Sequence, residues 1–261
     1  MKPTVLLTGG SSGIGLSTAQ VFVSRGWLVY ELSRHGVSHD GIEHVDCDVS
    51  DQQSVKQAVG TVLKQVERLD VVICNAGFGI SGPIEFTPVE EAHRQFDVNF
   101  FGALHIVQAV LPTLRQQQGG RIIFTSSVAA ILSIPYQAFY STTKAAINAF
   151  ALALQNEVRE WHIHVSVLMP GDVATGFTQA RHKGNQGSEV YRHMDAAVSA
   201  MEKDEQSGLG ANLMARQLYR IATRPNPAPQ YVGGFQYQVF CLLDRLLPKR
   251  LVNWIVGKIY S

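Results

Sequence analysis

Cysteine is scarce in this chain: Cys47, Cys74 and Cys241 are the only three in 261 residues. An odd number without a Cys-x-x-Cys spacing argues against a disulfide framework and a zinc site. It fits a reducing compartment such as the cytoplasm. The expected role of these thiols is that of small buried hydrophobes. Charge is scarce too. Charged residues make up 16% and the net charge is +1, which leaves no broad field to hold a nucleic acid. No apolar run approaches the roughly 18 residues of a membrane-spanning helix. The apolar residues after Lys2 stop at Thr8-Gly9-Gly10, short of the roughly 7–15 that a leader's apolar region needs, so no signal peptide is expected. His162 and His164 have no third ligand near them, and no metal site is expected.

What is present is apolar and alternating. Hydrophobic residues make up 46% of the chain, enough for the core of one large α/β unit. Solid apolar runs at Thr4–Leu7, Trp27–Leu32, His44–Cys47, Val71–Cys74, Ile122–Phe124 and His164–Met169 read as strands. Helical spacing predicts helices over Leu16–Arg25, Asp51–Arg68, Pro88–Arg115 and Tyr140–Trp161. Strand and helix in turn predict a parallel sheet covered on both faces, a doubly wound Rossmann-type α/β domain spanning residues 1–261. Ligands of such sheets sit at the carboxyl ends of the strands. Residues 177–206 read as a polar, irregular insertion over the site, with Arg181-His182-Lys183 as a solvated loop. A short strand at Tyr231-Val232 precedes an apolar, helical segment over 235–261.

The first strand runs into Thr8-Gly9-Gly10-Ser11-Ser12-Gly13-Ile14-Gly15 and then into a helix. Glycines let the backbone turn sharply and approach a pyrophosphate, and the helix N-terminus offers free N–H groups and positive potential. This run resembles the cofactor fingerprint of the short-chain dehydrogenase/reductase family in its form of about 250 residues. Matching segments follow at the family's intervals: Asn75-Ala76-Gly77, Asn99, Ser127, Tyr140-x-x-x-Lys144, and Pro170-Gly171 with Thr175. The resemblance covers residues 1–176 and fades in the last third of the chain.

Tyr140 and Lys144 are one turn apart, so they share a helix face. A phenol with a pKa of about 10 is a poor base at neutral pH, and an ammonium beside it, joined by the positive charge of an oxidised nicotinamide ring, favours the phenolate. The resemblance implies hydride transfer between a nicotinamide and an alcohol/carbonyl pair. It makes Asn99, Ser127, Tyr140 and Lys144 the catalytic set, with Ser127 and Tyr140 on the substrate oxygen and Asn99 holding a water that connects Lys144 to solvent. Ser127 is chosen over Ser126 by the family's spacing. For the cofactor the resemblance implies Gly9, Ser11, Ser12, Gly13, Ile14 and Gly15 at the phosphates and Asp48 and Val49 at the adenine. It puts Asn75, Ala76 and Gly77 beneath the adenosine, and Pro170, Gly171, Val173 and Thr175 at the carboxamide.

Ser33 and Arg34 stand where relatives that use NAD carry an acid at the second strand's end, which predicts NADP(H) in preference to NAD(H). Glu31 lies on the same face as Ser33 and reverses the preference if it is the residue that reaches the ribose. A binding or sensor protein without turnover is the alternative from another class, yet the tyrosine, lysine and serine are all kept. A sugar-nucleotide epimerase or dehydratase would use another glycine spacing. Within the oxidoreductases the tail resembles hydroxysteroid and retinol dehydrogenases more than ketoacyl reductases, which points to an apolar alcohol or ketone. The expected assembly is a homodimer or homotetramer. In the last segment Leu242, Leu243, Leu246, Leu247, Leu251, Trp254 and Ile255 favour one side of a helical plot. Docking onto the core or a partner subunit is the expectation, with a wall of the substrate pocket or peripheral membrane contact as the alternatives.

Overall fold

A computed structural model gives the fold and describes residues 2–184 and 186–260. The main strands are β1 (Thr4–Thr8), β2 (Leu28–Ser33), β3 (Ile42–Asp46), β4 (Val71–Cys74), β5 (Gly120–Thr125), β6 (Ile163–Pro170) and β7 (Gln230–Gly233). They form one parallel sheet in the order β7-β6-β5-β4-β1-β2-β3. Every side chain of β1 and β4 is buried, as strands covered on both faces require. The helices are α1 (Gly13–Ser24), α2 (Gln52–Leu63), α3 (Val89–Phe96), α4 (Gly102–Gln116), α5 (Ala138–Glu157), α6 (Met194–Gln206), α7 (Ala211–Thr223), α8 (Phe235–Leu246) and α9 (Lys249–Ile259).

Strand alternation divides the core in two. Val5, Leu7 and Ile73 face α1 and α7, where Phe22, Met214 and Leu218 meet them. Leu6, Val72 and Phe124 point to the other face, against Val59 and Val62 of α2, Ile106 and Val110 of α4, and Ile147 and Leu154 of α5. The three cysteines are free and buried, as small core hydrophobes would be.

The structure departs from the sequence reading where one residue has to turn the chain. Helix α2 starts on Asp51, whose carboxylate accepts from Gln53 N at 2.9 Å, and ends at Leu63 rather than Arg68. The chain turns there because Gln117 clamps Leu69, accepting from its N–H at 3.0 Å and donating to its carbonyl at 2.8 Å. The long helix expected over Pro88–Arg115 is interrupted by a π turn at Asp97–Phe101. Such wide turns are frequent at functional positions, and this one carries Asn99. Residues 177–206 are not irregular throughout: Met194, Ala197 and Met201 are the buried stripe of α6. Nor is Arg181 solvated. It is buried in an ion pair with Glu205, while His182–Lys183 pairs in parallel with Ile80–Ser81. Asn185, inside this stretch, lies outside the described residues.

Gly15 shows how tightly the first turn is drawn. A Cβ placed on it would lie 2.0 Å from the Gly9 carbonyl oxygen. Gly15→Ala is expected to destabilise the fold by about 1–3 kcal/mol, the usual cost of overpacking a closed site. Thermal unfolding reads the loss, and an unchanged melting temperature would contradict the tight approach.

Candidate active site

The chain leaves β1 toward β2 on one side and returns to β4 on the other, which opens a crevice at the carboxyl ends of β1 and β4. Thr8 ties the crevice together. Its hydroxyl oxygen accepts from the N–H groups of Asn75 and Ala76, both at 3.0 Å. The Asn75 amide answers by donating to the carbonyls of Thr8 and Gly9, both at 3.3 Å. Gly9 and Gly13 take φ of 68° and 53°, a region open to glycine at little cost. Ser12 precedes α1 in extended conformation without a side-chain cap, so the first amides of the helix stay available to an anion. These features fit a dinucleotide's pyrophosphate.

One cavity of about 370 Å³ gathers most of the candidates. Gly9, Ser12, Gly13 and Ile14 line it from the glycine turn, and Asn75, Ala76 and Gly77 from the loop after β4. Ser127 follows β5, Tyr140 and Lys144 project from α5, and Pro170, Gly171, Val173 and Thr175 follow β6. Other candidates stand apart. Gly15 is packed under Gly9. Ser11 faces a neighbouring cavity of about 440 Å³ with Gly10 and Glu31. Ser33, Arg34 and Asp48 cluster beyond β2 and β3, where Asp48 accepts from Ser50 N at 3.0 Å and Ser50 Oγ at 2.6 Å. Burial opposes the Asp48 charge, but the Ser50 bonds and nearby Arg34 outweigh it and hold the carboxyl below its usual range. Val49 is buried against Gly102, where a Cβ would come within 2.8 Å of it.

Lys144 Nζ donates to the Thr125 carbonyl at 2.9 Å and lies 5.7 Å from the centre of the Tyr140 ring. Ser127 Oγ accepts from Ala129 N at 3.1 Å and lines the same cavity as Tyr140, near enough to draw the phenol's pKa down against burial. Ser126 is turned away, its hydroxyl donating to the Lys144 carbonyl at 3.0 Å, so geometry separates the two serines as the spacing did. The electrostatics differ from expectation. Burial pushes the Tyr140 phenol up to about 12, with Ser127 and Arg181 opposing and Glu205 and Asp172 adding. Burial also brings Lys144 down to about 8. Tyr140 keeps part of its ring open to the chamber, yet the protein packed around it sets the direction. The protein's own groups therefore favour the phenol, not the phenolate.

Asn99 makes its bonds to neighbours other than Lys144. Its Oδ1 accepts from Phe78 N at 3.0 Å, and Nδ2 donates to Phe78 O at 3.0 Å and Thr143 Oγ1 at 3.2 Å. The residue satisfies both backbone groups of Phe78 and so fixes the loop that carries Gly77.

The sequence reading places residues 177–206 over the site but names none of them as lining it; the far wall of the chamber includes Phe177, Met201 and Glu205, with Asp172 and Tyr260. The Phe177 ring lies 5.5 Å from that of Tyr140. Glu205 accepts from Thr178 Oγ1 at 2.7 Å and pairs with Arg181. Asp172 accepts from Tyr237 OH at 2.6 Å, and burial first, then Glu205 and Asp204, raise its pKa against that bond and Arg181. The spacing of Met194, Ala197 and Met201 was the available signal for α6. Tyr260 comes from the apolar tail, for which a wall of the substrate pocket is one of the alternatives.

The family model for short chain dehydrogenases matches residues 3–186. The chain is 34% identical to a 3-ketodihydrosphingosine reductase of Bacteroides thetaiotaomicron, over 100% of this chain and 99% of that protein. The chain belongs to the short chain dehydrogenase family. This short chain dehydrogenase is also 30% identical to estradiol 17-beta-dehydrogenase 1 of Rattus norvegicus, over 87% of this chain and 72% of that one. Its fold matches a solved short-chain dehydrogenase of Streptomyces avermitilis with a TM-score of 0.84 at 24% identity, covering 94% of this chain and 93% of the other. As a member of the family it is an oxidoreductase acting on CH–OH groups.

The Thr8 clamp gives a direct test of how the crevice is held. Thr8→Val keeps the shape and removes the acceptor, leaving two backbone N–H groups without a partner. The loss is expected to be about 1–3 kcal/mol, read by denaturant unfolding. Full stability in the variant would show that the clamp is not needed.

Proposed function

We propose that this short chain dehydrogenase reduces the carbonyl of an apolar, lipid-like substrate, or oxidises the matching alcohol, with NADP(H) preferred and NAD(H) accepted. The observation that carries the reading is the meeting of Ser127, Tyr140 and Lys144 in a chamber walled by Val128, Ile134, Phe177 and Met201. The names of the Bacteroides and rat relatives, a ketosphingosine reductase and an estradiol dehydrogenase, support a large apolar substrate. The chain would work as one catalytic domain, with residues 177–206 shaping the substrate end. Exposed Phe101 and Leu152, beside and on α5, support self-association into a dimer or tetramer, and the three unpaired thiols suit the cytoplasm.

In this reading the glycine turn and the α1 N-terminus hold the pyrophosphate. Asp48 and Val49 serve the adenine, Asn75 to Gly77 lie under the adenosine, and Pro170 to Thr175 meet the carboxamide. When bound, the nicotinamide supplies or takes the hydride. Ser127 orients the substrate oxygen. Tyr140, with its pKa at about 12, holds its proton at neutral pH and gives it to that oxygen. Lys144, at about 8, is still charged there and returns the proton. Asn99 acts at one remove, through the Phe78 backbone.

Cofactor choice rests on the end of β2. Glu31 is only 2% exposed and lines the cavity that Ser11 faces; one carboxylate oxygen is bonded to His44 and accepts from Ser33 Oγ at 3.2 Å, and the other has no partner. Burial opposes the His44 imidazolium, but its bonds to Asp46 and Glu31 outweigh burial and raise its pKa. The bonds to His44 and Ser33 engage one Glu31 oxygen, and exposed Arg34 beyond the strand end is placed to attract a 2′-phosphate.

Tyr140→Phe removes one hydroxyl and is expected to lower kcat by at least about a hundredfold, with cofactor binding and melting temperature unchanged. Steady-state kinetics with a carbonyl panel checks this, and a variant that keeps most of its kcat would overturn the assignment. Arg34→Ala is expected to weaken NADPH binding by about 1.5–3 kcal/mol, as for hydrogen bonds to a charged group, and to spare NADH. Equal losses for the two cofactors would remove Arg34 from the 2′-phosphate site.

A further inference from the structure

Helix α8 carries apolar residues on two sides. Tyr237 and Cys241 are buried against the body of the protein. On the opposite side Phe235, Val239, Leu242 and Leu246 repeat at helical spacing, and all are exposed. Phe235 is 81% exposed and Leu246 71%. Helix α9 continues the pattern with exposed Leu251, Ile255 and Ile259 at four-residue intervals and Trp254 beside them. Scattered exposed apolar residues are ordinary, but ten of the eighteen large ones among the described residues fall at or beyond Phe235. A concentration of that kind marks a contact surface. Docking onto the core does not account for it, because the Tyr237 and Cys241 side already makes that contact.

The charge of the segment selects the partner. Arg245, Lys249, Arg250 and Lys258 stand against one acid, Asp244, which is buried and bonded to Lys249. Residues 235–261 therefore carry +3, while the whole chain carries +1. A second copy meeting this surface about a two-fold axis would set one positive segment against another. An anionic lipid surface offers the opposite charge for the bases and an apolar layer for the stripe. No helix among the described residues is long and apolar enough to cross a membrane.

We propose that α8 and α9 lie on an anionic bilayer, with the stripe from Phe235 to Ile259 in the acyl boundary and the basic side chains at the headgroups. The same segment helps to wall the chamber. Tyr260 lines it, and Tyr237 holds Asp172, another of its lining residues. Resting on the function proposed above, this brings a lipid-like ketone to the enzyme at the element that closes its site. The docking itself does not depend on that function.

Flotation of the whole protein with vesicles tests the docking directly. Vesicles of phosphatidylcholine mixed with phosphatidylglycerol are expected to carry at least about tenfold more protein than phosphatidylcholine alone, and high salt is expected to reduce the difference. Leu246→Asp and Trp254→Asp should each abolish binding while keeping the melting temperature and turnover of a short, water-soluble ketone. Should an aspartate variant unfold, the Arg245→Gln/Arg250→Gln double variant leaves the apolar stripe intact and should still lose anionic binding. The proposal is overturned if neither vesicle binds the protein, or if the folded variants bind as the wild type does. It is also overturned if Leu246→Asp instead dissociates an oligomer in sedimentation while no vesicle binds. Vesicle binding without turnover of any carbonyl would sink the proposed function and leave the docking standing.

Discussion

The site depends on keeping a phenol and an amine side by side in a protein-dense pocket. Tyr140 and Lys144 stand one turn apart on α5, and burial drives the first up to about 12 and the second down to about 8. Both shifts favour the neutral forms, because a low-dielectric surrounding disfavours charge of either sign. The gap between them is set by surroundings rather than by a direct exchange of charge. Lys144 donates to the Thr125 carbonyl, so the β5 backbone holds the amine in place. Ser127, two residues farther on, lines the same cavity as the phenol. One strand end thus positions both the amine and the serine.

The surrounding fold makes that placement repeatable. Thr8 at the end of β1 and Asn75 just after β4 bind each other's loops, fixing one side of the crevice. Asn99 ties the next loop by holding both backbone groups of Phe78. Across the chamber, Arg181 with Glu205 and Asp172 with Tyr237 join residues distant in the chain. The near walls come from the regular sheet. The far wall comes from side-chain pairs that bind α6 and α8 to the loop after β6.

That division explains what the sequence revealed. β1 and β4 were legible because a strand buried on both faces must be apolar throughout, and the glycine turn because only glycine permits the approach of Gly15 to Gly9. Tyr140 and Lys144 were legible because four-residue spacing on a helix is a geometric statement. The electrostatic direction at Tyr140 was not, since it depends on how much protein surrounds the ring. The π turn at Asp97–Phe101 was hidden because helical spacing runs through it unbroken, and the Phe78 groups that Asn99 bonds lie in another loop. Arg181 read as a solvated loop residue because its partner Glu205 lies in a stretch that looks polar until the buried stripe of α6 is seen.

In the proposed mechanism Tyr140 holds the proton and Lys144, while charged, replaces it. The pH dependence of kcat/KM for carbonyl reduction reports the free enzyme's groups. Tyr140 at about 12 stays protonated across the neutral range, whereas Lys144 loses its charge as pH rises through about 8. The predicted profile is flat below that point and then falls by about tenfold per pH unit, as loss of one proton requires. A profile that stays level well beyond pH 8, or that rises there, would contradict the account.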